Sequence, residues 1–78
     1  MKLLKITRSS LHDAYILNIS KDNGATWERY DMYVYGGIPT AYSWAYDEDS
    51  VKADILSDIA KLVNDGYMFS TADIEDVD

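Results

Sequence analysis

A chain of 78 residues with 14 acidic side chains against 7 basic ones carries a formal charge of −7. That length allows one domain around one modest core and leaves little room for a deep catalytic cleft beside it. The charge argues against direct contact with a nucleic acid backbone, which needs a positive surface to displace counterions. The lack of cysteine excludes disulfides, thiolate metal sites and a cysteine nucleophile.

In Met1-Lys2-Leu3-Leu4-Lys5-Ile6 the apolar run is broken by Lys5 and ends at Thr7 and Arg8. This is not the pattern of a signal peptide. Nor does any stretch approach the roughly 20 apolar residues of a membrane span. The expectation is a soluble protein of the cytoplasm, in a host cell if the chain is phage-borne.

Residues 2–8 alternate, with Leu4 and Ile6 on one face and Leu3, Lys5 and Thr7 on the other, and predict a first strand. Residues 9–13 read as a loop. Residues 14–20 predict a second strand with Tyr15, Leu17 and Ile19 on one face. Ser20-Lys21-Asp22-Asn23-Gly24-Ala25-Thr26-Trp27 then turns the chain, since Asn-Gly tolerates the positive φ of a tight hairpin turn. Residues 26–35 predict a third strand. Its two faces are Trp27, Arg29, Asp31, Tyr33 and Tyr35 against Glu28, Tyr30, Met32 and Val34, and the second set is the more apolar at its far end. That set is assigned to the core.

Gly36-Gly37-Ile38-Pro39 breaks the pattern. Residues 40–46 predict a fourth strand on which Tyr42, Trp44 and Tyr46 share a face. Asp47-Glu48-Asp49-Ser50 opens a helix, its carboxylates set against the positive end of the helix dipole. The helix runs to about Asp65, with Gly66 as its stop. Val51, Ile55, Leu56, Ile59, Leu62 and Val63 make one apolar stripe along it. Tyr67-Met68-Phe69-Ser70-Thr71 predicts a last short strand or an apolar anchor. The fold class is therefore α+β: a three- to four-stranded, mainly antiparallel sheet packed against one helix. Residues 1–71 form the domain, and residues 72–78 an acidic C-terminal tail expected to fray.

The octet at residues 20–27 resembles the Asp-box of sialidases and related β-propeller repeats, Ser-x-Asp-x-Gly-x-Thr-Trp, at Ser20, Asp22, Gly24, Thr26 and Trp27. The resemblance implies a hairpin in which the Asp carboxylate accepts hydrogen bonds from the turn amides and the Trp packs beneath them. One copy is present, and Arg8 and Arg29 are the only arginines. No sialidase chemistry is carried over.

Two surfaces are candidates for a partner. Asp47, Asp54, Asp58 and Asp65 fall in a stripe about 27 Å long on the predicted helix, flanked by Glu48 and interrupted by Lys61. Tyr33, Tyr35, Tyr42, Trp44 and Tyr46 offer aromatic area on the sheet. In the plainer reading the carboxylates are a solvated helix face and the rings fill the core.

His12 is the one histidine, in a loop beside Asp13, and it implies no catalytic triad. The carboxylates lack the ligand spacing of a calcium loop. No enzyme activity, cofactor or metal is expected. Short, acidic, cysteine-free and tyrosine-rich, with one sheet and one helix, the chain resembles phage-encoded anti-defence proteins of the anti-CRISPR type in general character. That resemblance implies an inhibitor that blocks a nucleic-acid-guided nuclease complex. The expected partner is a protein with a basic, nucleic-acid-binding surface. The alternative is a carbohydrate-binding or accessory module using the aromatic face.

Overall fold

The computed structural model describes residues 1–35 and 48–77. In chain order they form strands β1 (Leu3–Ser9), β2 (Ala14–Ser20) and β3 (Glu28–Val34), helix α1 (Glu48–Asn64), and two-residue strands β4 (Met68–Phe69) and β5 (Glu75–Asp76). The expected strand over residues 40–46 lies outside the described residues.

The first two strands and their register follow from alternation. β1 and β2 pair antiparallel from Leu3 opposite Ser20 to Ser9 opposite Ala14. This places Leu4, Tyr15, Leu17 and Ile19 in the cluster that α1 covers, with Ile6 packed beside it. From the helix, Val51, Ile55, Ile59 and Leu62 complete the core, and Tyr67 closes its end. Leu4 and Leu17 are wholly buried, and each such side chain contributes about 1.5–3 kcal/mol of transfer free energy. The helical stripe is narrower than its sequence: Leu56 and Val63 stand out in solvent.

Helix α1 stops as expected. Gly66 takes φ 96°, its N–H donates to the Val63 carbonyl (3.1 Å), and the Tyr67 N–H donates to the Leu62 carbonyl (3.0 Å). These paired reverse bonds satisfy carbonyls that the last turn would leave free, and they turn Tyr67 back onto the core.

The face of β3 is a correction. Tyr33 is buried, whereas Tyr30, Met32 and Val34, assigned to the core from the sequence, are exposed. The cause is a bulge. Leu17 pairs with Asp31, but the next residue, Asn18, pairs with Arg29, so Tyr30 is an extra residue on β3. One inserted residue resets a period of two. Asp31 and Tyr33 therefore pair with Leu17 and Tyr15 on the helix side, and Met32 pairs with Ile16 on the other.

The sheet order is β3-β2-β1-β4, with β5 also on β1. β4 and β5 both run parallel to β1, at Leu3–Leu4 and Thr7–Arg8 respectively, so the sheet is mixed. Part of residues 72–77, expected as a free tail, is thus a strand. No helix among the described residues is long and apolar enough to cross a membrane.

Candidate functional site

Helix α1 and strand β3 enclose a cleft of about 440 Å³. Asp31 comes from β3, Asp54 and Asp58 from successive turns of α1, and Lys61 is the one cation in the described lining. Tyr33 and Val51 supply apolar wall. The bulge creates this arrangement, because without it Asp31 would point away from the helix.

The carboxylates differ in their engagement. Asp58 accepts a hydrogen bond from the buried Tyr33 hydroxyl at 2.6 Å and sits 3.6 Å from Lys61 Nζ. Asp31 accepts from the Met32 N–H at 2.8 Å. Asp54 is exposed on the helix. Burial, then the hydrogen bond and charge of Asp58, push the Tyr33 hydroxyl well above its ordinary value of 10.0. Tyr33 stays neutral and donates. The cleft keeps a surplus of negative charge on an apolar floor, which suits a cationic side chain whose alkyl stem is buried while its head meets carboxylates.

Of the residues singled out from the sequence, the cleft gathers Asp54, Asp58 and Tyr33. Asp65 stands at the C-terminal end of α1, mostly exposed, 3.6 Å from Lys2 Nζ. Glu48 begins the helix. Asp47, Tyr42, Trp44 and Tyr46 lie outside the described residues. Tyr33 and Tyr35 do not form an exposed platform. Tyr33 is buried, and the half-buried Tyr35 ring packs 4.8 Å from that of Tyr15. Asp31 was not singled out from the sequence. Alternation already sets Asp31 on the face of Tyr33, but only the pairing register shows that this is the face toward the helix.

The octet forms a hairpin tip closed by its own side chains. Ser20 Oγ accepts from the Gly24 N–H (2.8 Å) and donates to Asp22 Oδ1 (2.8 Å). Asp22 also accepts from the Thr26 N–H (2.9 Å) and from the Thr26 hydroxyl. These bonds, the Thr26 hydroxyl first, hold the Asp22 carboxyl down to about 2. Asn23 and Gly24 take φ 61° and 90°, as a primed turn demands. Trp27 lies under Lys5, whose Nζ is 4.3 Å from the ring centroid. The Ser20, Asp22 and Thr26 side chains are spent on the turn, so the octet serves as a brace.

Ser9 Oγ and His12 Nδ1 lie 2.9 Å apart, which on distance alone resembles a nucleophile and its base. Ser9 is buried, however, and the same Oγ accepts from the His12 N–H (3.3 Å). The contact staples the β1–β2 turn. Among the described residues no group of three or more acidic or histidine side chains is placed to hold a metal ion. Comparison with models of protein families, with curated proteins and with solved structures gives no match.

Proposed function

We propose that the protein is a small acidic inhibitor that occupies a basic, nucleic-acid-binding surface of another protein, such as the DNA-binding groove of a CRISPR effector complex. The observation that supports this reading is the convergence of Asp31, Asp54 and Asp58 on one cleft in a chain of charge −7. A groove that attracts phosphates attracts this face by the same field. An apolar floor beneath the carboxylates adds contact area that a solvated helix face lacks. Asp65 and the exposed Asp54 extend the negative face along α1.

The test is competition. A purified CRISPR effector complex is offered labelled DNA with increasing amounts of the chain, and DNA binding is followed by fluorescence anisotropy. The reading expects displacement that weakens steeply from low to physiological salt. The Asp54→Lys, Asp65→Lys double variant should lose displacement while its circular dichroism and melting transition are kept. Displacement indifferent to both salt and charge reversal would discard the acidic-surface mechanism. Absence of displacement at any salt would discard the target.

A further inference from the structure

After β4 the chain leaves the sheet and returns to the same edge of β1 at β5. The return is held by few contacts. Glu75 and Asp76 bridge Thr7 and Arg8, and the Val77 N–H donates to the Arg8 carbonyl at 3.0 Å. Arg8 grips the Asp76 carboxylate with Nε at 2.7 Å and Nη2 at 3.2 Å. Both partners of this fork are close to half exposed, at 43% and 49%, so salt screens the pair. Between the two anchors, Lys5 and Ile6 of β1 bridge neither β4 nor β5.

Beneath the returning segment is an apolar groove of about 210 Å³. It is lined by Ile6, Tyr15, Lys52, Ile55, Leu56 and Ile59, with Ile74 of the returning segment at its border. Ile74 and Leu56 remain 51% and 65% exposed, so the segment covers the groove without filling it. A segment held by two bridges and one screened ion pair opens at far lower cost than the core strands.

We propose that residues 71–77 are a releasable strap, occupying in cis a peptide-docking edge of β1. On release, the same edge takes an extended segment of a partner with an apolar side chain in the place of Ile74 and a carboxylate in the place of Asp76. The strap itself defines that chemistry. Strand addition supplies the backbone bonds, the groove reads the apolar residue, and Arg8 reads the carboxylate. The surface lies on the opposite edge of the sheet from β3 and is independent of the acidic cleft.

Amide hydrogen exchange on the full chain tests release. The Val77 amide should exchange at least about tenfold faster than the amides of β2, and Asp76→Asn should accelerate it further. The Met68 and Ser70 amides, which donate to the Lys2 and Leu4 carbonyls, should not change. Docking is tested on the full-length Asp76→Asn chain, because in the native chain the tethered strap competes at a local concentration of order millimolar. A synthetic peptide of residues 71–77 should shift the amide resonances of Thr7 and Arg8. The same peptide with Asn for its Asp76 should bind several-fold more weakly. A Val77 amide as protected as those of β2 would overturn the strap. A peptide that leaves Thr7 and Arg8 unmoved, or that binds equally well without its carboxylate, would overturn the docking edge.

Discussion

The Tyr33 hydroxyl donates to Asp58 Oδ2 at 2.6 Å, joining the third strand to the middle of the helix across 25 residues of sequence. This bond fixes the floor of the acidic cleft. A hydrogen bond to a charged partner is worth about 1.5–3 kcal/mol, and with Asp58 still 21% exposed the lower end applies. Tyr33→Phe is therefore expected to cost about 1.5 kcal/mol in urea denaturation. Leaving the transition midpoint unchanged would show that the bond does not hold the cleft.

The same tyrosine sets an alkaline limit. Its folded-state value lies above the ordinary 10.0, so above pH 10 the unfolded chain releases a proton that the folded chain retains. The unfolded state then binds fewer protons, and stability falls as pH rises. Burial of Tyr35 acts in the same direction. Stability measured from pH 8 to pH 11 should decline beyond about pH 10, and less so in Tyr33→Phe.

At the other end of the pH scale, the hairpin tip depends on the Asp22 carboxylate. Its folded value of about 2 lies below the ordinary 3.8, so its contribution is complete above pH 4 and is lost as pH falls toward 2. Asp22→Ala should lower the melting temperature at pH 7, and the difference from the native chain should close near pH 2. A difference of equal size at both pH values would assign the loss to something other than the charged form.

The bulge at Tyr30 explains which parts of the fold were legible in the sequence. β1 and β2 pair without a register shift, so Leu4, Tyr15, Leu17 and Ile19 were readable as one face. Helix α1 was readable from its stripe and from Gly66. In β3 the alternation holds on each side of Tyr30 but changes phase there, and the apolar Met32 and Val34 at its far end point to a core face that the pairing instead sets opposite Ile16 and Ala14. That slip put Met32 in the core and hid Asp31 from the list of site residues. β4 and β5 are two residues each, too short for any period, and are specified by what they lie against. Glu75 and Asp76 read as a polar tail until Arg8 is seen beside them.

Paired truncations test the corrected face. Leu17 is wholly buried, and Leu17→Ala should cost about 2–5 kcal/mol, enough to unfold a domain this small under mild denaturant. Met32→Ala removes a side chain already 39% exposed on the far face and should cost less than about 1 kcal/mol. Comparable losses at the two positions would restore Met32 to the core.

Asp54 and Asp58 share a cleft and differ in what they hold. Asp54 is exposed on α1, so Asp54→Asn should leave stability within about 0.5 kcal/mol while weakening a basic partner. Asp58→Asn keeps an oxygen to accept from Tyr33 but removes the charge that strengthens the bond and pairs with Lys61. It should weaken the partner and also cost roughly 1 kcal/mol of stability. The stability difference between the two variants should shrink in a Tyr33→Phe background to what the exposed Lys61 pair contributes, since the Tyr33 bond is then gone. A double-mutant cycle by urea denaturation measures that coupling, and a value near zero would mean that Asp58 stands over Tyr33 without stabilising it.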